Sequence, residues 1–388
     1  MGNLEQLIGK EELDILFVLP WFGTESGHSF TRLMSAEFPF SIAMLMAYIE
    51  KQGFKTAVLD MYNENKPLEI LEQSLKELRP KIVGLSAFSA NMVNAETVAK
   101  NVKEFNQDIP VILGGFHATA EPEECLTKYK GFDYVMYGES EQGLAVLIEK
   151  LLNQEPVGDT PNLVYKNGDK LVVNPEGPII ANMDELPFPL ISKFNVFRYM
   201  PSPPNYHSLP SIGLMSARGC PYKCTFCATH FQRNKRVRRM SRGLLVDWIE
   251  KIISDYGIRD FRFYDDTFTI PLSVVREFCE EVLKRNLKIH WNCYSRVDTI
   301  DEPIARLMKQ AGCYHIKFGI EAGTEKTLKR IRKNITLEQA IKAIAVVKRC
   351  GIETKASFML GIHDETFEDS KKQSILHLNL LQTTQLLS

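Results

Sequence analysis

The chain has 388 residues, a formal net charge of −1, 44% apolar residues and 24% charged residues. That length accommodates two or three domains, and the near-neutral balance excludes an overall basic field aimed at nucleic acid or an acidic membrane. With no apolar run long enough to span a bilayer and no signal-peptide pattern, a cytoplasmic protein is expected, its eight cysteines free thiols rather than disulfides.

In chain order, residues 1–152 read as one domain in which strand and helix alternate. The short apolar runs 14–20, 56–60, 81–88, 111–115 and 133–139 are strands, separated by amphipathic stretches at 39–52, 67–78, 91–106 and 121–130 and closed by a helix over 141–152. Five strands spaced by helices imply a parallel sheet covered on both faces, with ligands expected beyond the carboxyl ends of its strands. Residues 153–210 read as a connector, because ten of the nineteen prolines fall within 156–210. Inside it, 162–173 reads as a β-hairpin turning at Asn167-Gly168, a type I′ signal.

Over 211–378 the alternation returns. Strands are expected at 211–217, 260–266, 288–295, 314–323 and 354–362, and helices at 242–255, 273–286, 302–311, 336–350 and 366–378. Five βα units are the pattern of a barrel or part of one, with functional residues at the carboxyl ends of the strands. The pattern stops after about 378, so 379–388 reads as irregular and the barrel as shortened, with the consequence that the chain could be a truncated, inactive fragment.

Three cysteines crowd the loop after the first of these strands: Cys220, Cys224 and Cys227, spaced C-x3-C-x2-C. A closed zinc site wants four ligands, and His230 is the sole local addition. Thiolate-rich sites also hold iron–sulfur clusters, and a cubane gripped by three cysteines leaves one iron open. The other five, Cys125, Cys279, Cys293, Cys313 and Cys350, read as small buried hydrophobes. The run Gln232–Arg239 carries five positive residues and reads first as a solvated face.

The cysteine spacing, with Phe226 before the third cysteine and a βα series around it, resembles the signature of radical S-adenosylmethionine (SAM) enzymes. The resemblance implies a [4Fe-4S] cluster on Cys220, Cys224 and Cys227, whose open iron binds SAM and whose electron cleaves it to a 5′-deoxyadenosyl radical. By the same resemblance, SAM contacts fall on Phe226, on one of Asp265 and Asp266, on Ser295 and Arg296, on Glu321 and on Gly361. The preceding domain resembles that of the cobalamin (B12)-binding members of that family, on "VILGGFHATAEPEE" and "FDYVMYGESEQGLAVL". This implies corrinoid contacts at Ser86, Ser89, Gly114, Gly115, Phe116, His117, Gly138 and Glu139. The D-x-H-x-x-G motif is absent, and His28 lies in a different context, so no histidine is expected on cobalt.

The implied fold class is α/β: a flavodoxin-like (Rossmann-type) cobalamin-binding domain followed by a partial (β/α) radical SAM barrel. The implied activity is transfer of methyl from methylcobalamin to an unactivated centre of a small-molecule substrate. An electron donor such as flavodoxin or ferredoxin would serve it, with no nucleic acid and no membrane involved. Oxidative cyclisation or ring rearrangement is the alternative chemistry, and a non-catalytic cobalamin sensor the alternative to an enzyme. Methylthiolation of tRNA would need a second cluster, and residues 1–200 hold only Cys125.

Overall fold

The computed structural model describes residues 12–23, 36–62, 64–203, 205–231 and 236–382. His28, the first half of the basic run and residues 383–388 lie outside them. The chain forms two compact units, the first running to Ala181 and taking in Glu185–Arg198, the second holding Tyr199–His230 and the elements that follow.

In the first unit, β1 (Ile15–Leu19), β2 (Thr56–Asp60), β3 (Ile82–Ser86), β4 (Val111–Gly114) and β5 (Tyr134–Met136) are parallel. Nearly every residue of β1–β3 is buried, as expected of strands covered on both faces. The covering helices are α1 (Phe40–Lys51), α2 (Pro67–Leu78), α3 (Met92–Phe105), the short α4 (Phe116–Ala120) and α5 (Pro122–Thr127), and α6 (Glu141–Leu152). The order β2-β1-β3-β4-β5 is the flavodoxin-like order, with its switch point between β1 and β3.

The hairpin does not stand apart in the connector. Its strands β6 (Leu163–Asn167) and β7 (Lys170–Val173) extend the sheet to seven, β6 pairing antiparallel with β5. Asn167 pairs with Lys170, so the loop is Gly168-Asp169, and only Gly168 has positive φ (60°). That is the pattern of a type II′ turn, which wants glycine first, rather than the expected type I′.

The second unit is a five-stranded parallel sheet in sequence order: β8 (Ser211–Leu214), β11 (Asp260–Phe263), β12 (His290–Ser295), β13 (Cys313–Glu321) and β14 (Glu353–Phe358). Helices α7 (Arg242–Tyr256), α8 (Leu272–Lys284), α9 (Glu302–Gln310), α10 (Glu325–Arg330), α11 (Leu337–Arg349) and α12 (Phe367–Gln382) intervene. Phe263, Phe268, Phe278 and Trp291 pack edge-to-face and stacked, fixing α8 to one face of the sheet.

Two features depart from the sequence reading. The end of the basic run is not a plain solvated face: Arg238–Arg239 form β10, antiparallel to β9 (Ala217–Arg218), and Arg238 is buried. The final helix runs on to Gln382, because Leu380 is buried and its carbonyl accepts from the Lys348 ammonium at 2.6 Å. Of the five isolated cysteines, Cys125, Cys279, Cys293 and Cys313 are buried, whereas Cys350 is half-buried at the end of α11.

Candidate functional site

The cysteine loop follows β9. All three thiols are free; Cys224 is buried and Cys220 and Cys227 are half-buried. Burial pushes the Cys220 thiol up, and the charges of Asp266, Cys227 and Cys224 add to it. The loop is tightened by the Cys227 amide donating to the Cys224 carbonyl at 3.2 Å. It is also held from outside, the Thr225 amide donating to the Ile331 carbonyl at 3.0 Å. Among the described residues no group of three or more His, Cys, Asp or Glu is drawn tight enough to close on an ion. The fit to a cluster therefore rests on the donor set, three unoxidised thiols on one short loop at the carboxyl end of the first strand. That chemistry suits iron–sulfur ligation.

The two aspartates after β11 have different jobs. Asp265 is 3% exposed and saturated: it accepts from the Ser216 amide and hydroxyl, both at 2.6 Å, and from the Ala217 amide at 3.0 Å. Arg242 donates to the same Ser216 hydroxyl at 3.1 Å. Asp265 thus fixes the turn that leads into the cysteine loop, with both carboxylate oxygens engaged. Asp266 is exposed at the strand end: its carbonyl accepts from the Thr267 hydroxyl at 2.7 Å, and its carboxylate forms no hydrogen bond or ion pair among the described residues. The protein packed around it raises its carboxyl.

Arg296 is not a spare fork. Its Nε and Nη2 take both oxygens of Asp298 at 2.9 Å, and Nη2 also donates to the Lys333 carbonyl at 2.8 Å. The guanidinium lies 3.6 Å from the ring centroid of Tyr222, between the first two cysteines. It braces the loop, because a stacked, bidentate arginine has its geometry fully used. Ser295 is buried too, sharing a 2.7 Å hydrogen bond with Thr269 and donating to the Arg296 carbonyl.

Glu321 ends β13 at φ 75°, beside a register shift against β14. A left-handed glutamate stores strain, which surrounding structure must maintain and which clusters at functional sites. Lys333, 7% exposed, reaches the Glu321 carboxylate at 3.3 Å and lies 5.6 Å from the Phe226 ring. The segment after α10 therefore touches the cysteine loop, Arg296 and Glu321 at once. Gly361 sits in an open turn at φ 76° whose amide donates to Glu365 at 2.8 Å, and a Cβ there would meet nothing.

In the first unit, the expected corrinoid residues gather at the carboxyl ends of β3–β5. Gly115 has φ 97°, and a Cβ there would fall 2.7 Å from the Ala87 carbonyl oxygen and 2.9 Å from the Ser86 hydroxyl. The glycine is thus demanded by the sheet's own backbone, not by a ligand. Gly114 is clear of such crowding. His117 is turned inward: Nδ1 pairs with the Ser89 hydroxyl at 2.9 Å and the ring meets Tyr129 edge-on. The Gly138 amide donates to Thr119 at 3.1 Å, and Glu139 beside it is half-buried. Phe88 and Phe116 stack with centroids 5.3 Å apart and remain exposed, and Phe22 lies 6.0 Å from Phe88. Sequence reasoning missed Phe22 and Phe88. They lie on the loops after β1 and β3, which flank the switch point, and only knowledge of the strand order brings them together. The aromatic face and bare Gly114 fit a flat macrocycle.

Comparisons with known proteins agree with both units. Residues 33–148 match the model of the B12 binding domain and 214–372 that of the radical SAM superfamily. An uncharacterized methyltransferase of Pyrococcus horikoshii is 31% identical over 357 residues, covering 92% of this chain and 76% of that protein. The chain belongs to the cobalamin-binding radical SAM family. The anaerobic magnesium-protoporphyrin IX monomethyl ester cyclase of Rubrivivax gelatinosus is 30% identical over 339 residues, with 85% of this chain and 60% of that protein covered. Among solved structures, the radical SAM methyltransferase TsrM of Kitasatospora setae, with cobalamin and a [4Fe-4S] cluster, superposes with a TM-score of 0.75 at 17% identity. That match covers 95% of this chain and 70% of TsrM and speaks to fold. As a radical SAM protein with a B12 binding domain, the chain is an enzyme of a methyltransferase-containing family whose cofactors are a [4Fe-4S] cluster, SAM and cobalamin. No helix among the described residues is long and apolar enough to cross a membrane.

Proposed function

We propose that this radical SAM protein methylates an unactivated carbon of a small molecule, with Cys220, Cys224 and Cys227 as the cluster ligands. The observation that carries the proposal is the braced loop: three free thiols held by the Arg296–Tyr222 stack and the Thr225–Ile331 hydrogen bond. When bound, the cluster supplies the electron that splits SAM into a hydrogen-abstracting radical, and cobalamin supplies the methyl group.

The chain's own residues bind and orient. Asp266, with no internal partner, is assigned to the SAM amino group, and Asp265 to holding the turn behind it. Glu321 and Lys333 are assigned to the polar end of SAM, and Phe226 and the open turn at Gly361 to its flatter parts. Ser295 and Arg296 act from beneath as supports. Phe22, Phe88, Phe116, Gly114, Ser86 and Gly138 are assigned to the corrinoid, while Ser89, Gly115, His117 and Glu139 shape that edge. Inward-turned His117 favours cobalamin without a histidine on cobalt.

A small diffusible reductant protein, flavodoxin or ferredoxin in type, is the expected electron donor, and no nucleic acid is required. Eight free thiols suit a reducing cytoplasm. Anaerobic reconstitution with iron, sulfide and hydroxocobalamin tests the reading. We expect bound iron, a corrinoid spectrum and, with SAM and reductant, 5′-deoxyadenosine. Corrinoid without iron would establish the sensor instead, and iron without deoxyadenosine an inactive form.

A further inference from the structure

The second sheet has two faces of opposite character. Phe261, Phe263, Trp291, Cys293, Ile316 and Phe318 alternate onto the face that meets α8, and all are buried. The residues between them, which an apolar barrel interior would make Val, Ile or Leu, are Arg262, Asn292, Tyr294, His315 and Lys317. Strand register places them side by side: Arg262 beside Asn292 and Gly213, Asn292 beside His315, and Lys317 between Tyr294 and Lys355.

Lys317 is 5% exposed, yet its ammonium forms no hydrogen bond or ion pair among the described residues, finding only the Tyr294 ring, whose centroid is 4.9 Å away. Burial first, then the charges of Arg262 and Lys355, press its pKa down to about 8, against a smaller opposing pull from Cys293. His315, 2% exposed, has Nδ1 without a partner, and burial, then Lys317 and Lys355, press it down to about 4. Arg262 is 1% exposed and lies 5.2 Å from the Tyr264 ring, which rests on Gly213: a Cβ there would fall 2.0 Å from the ring. A buried ammonium and a buried imidazole nitrogen without a polar partner are costly and are kept where a ligand completes them.

We propose that this face binds the anionic group of the substrate, a phosphate or a carboxylate, between Lys317 and Lys355, with Arg262, Tyr294 and His315 beside it. Tyr294, 41% exposed, is the open side of the cluster. The proposal deepens the enzymatic reading above and names the substrate class that reading leaves open.

The test titrates the full chain, purified anaerobically, with inorganic phosphate and separately with succinate at constant ionic strength, by calorimetry. We expect saturable binding in at least one arm, weakened at least tenfold in Lys317→Met. A melting point at or above wild type shows that variant folded, because it removes an unpaired buried charge. Lys355→Met, on exposed β14, is the second variant and shifts affinity in the same direction. Phosphate binding alone marks a phosphorylated substrate, succinate binding alone a carboxylate one. Binding in neither arm, or unchanged affinity in both variants, overturns the proposal. None of these readouts needs the cluster or SAM, so failure here is distinct from failure to form deoxyadenosine.

Discussion

Arg296 shows how much of the site is decided two residues away. The family resemblance implies that this strand-end arginine contacts SAM; here Asp298 takes its fork and Tyr222 its face. Arg296→Lys keeps the charge but loses the planar stack and the bidentate pair. We expect it to fold and to bind less iron on reconstitution, with slower deoxyadenosine formation at saturating SAM. Iron content equal to wild type would show that the brace is dispensable. The aspartates separate the same way. Asp265→Asn strips the charge-assisted bonds from Ser216 and Ala217 and leaves Arg242 buried beside a neutral group, so thermal stability drops. Asp266→Asn, with no internal partner to lose, is expected to leave the melting point within error and to raise the SAM concentration needed for half-maximal deoxyadenosine.

At the scale of elements, the alternation of strands and helices was plain in the sequence because the strands of the first unit are short apolar runs and most of the longer helices carry a buried stripe. What escaped was too short or too distant to have a period. The ribbon of β9 and β10 has two residues on each side, and α10 is one and a half turns. Lys333 sits on a loop flanked by left-handed Arg332 and Asn334, and its link to Glu321 and Phe226 exists only after folding. α11 opens on a capping box: Thr336 accepts from the Gln339 amide, and the Gln339 side chain accepts from the Thr336 amide. Thr336→Ala is expected to cost about 1 kcal/mol, lowering the melting point by roughly 2–4 °C. A sharper failure is expected for Gly323→Ala. Its Cβ would fall 2.2 Å from the Gln373 Cα of α12 and disturb the bonds from the Gly323 amide to Gln373 and from Gln373 to the Met359 carbonyl. Limited proteolysis after α11 should rise in that variant; unchanged protection would mean that α12 can pack elsewhere.

For the whole molecule, two compact units carry two cofactor chemistries, and each has its own core and its own site residues. The cofactor framework was readable because its motifs are local: a cysteine triplet and a glycine pair. The substrate was not, because the residues that would recognise it, such as Lys317 and Lys355, look in sequence like any charged residue in a strand. Separate cores also predict separable loading. Cys224→Ser should lose iron while retaining corrinoid at wild-type stoichiometry, and loss of both would show that corrinoid uptake needs the cluster.

The central claim is that three cysteines, and no fourth side chain, hold the cluster, leaving one iron for SAM. Mössbauer spectroscopy of the ⁵⁷Fe-reconstituted protein tests it directly. We predict about four irons per chain, of which about one quarter of the signal shifts when SAM is added. A spectrum that SAM leaves unchanged, or a site filled by zinc, would contradict the account.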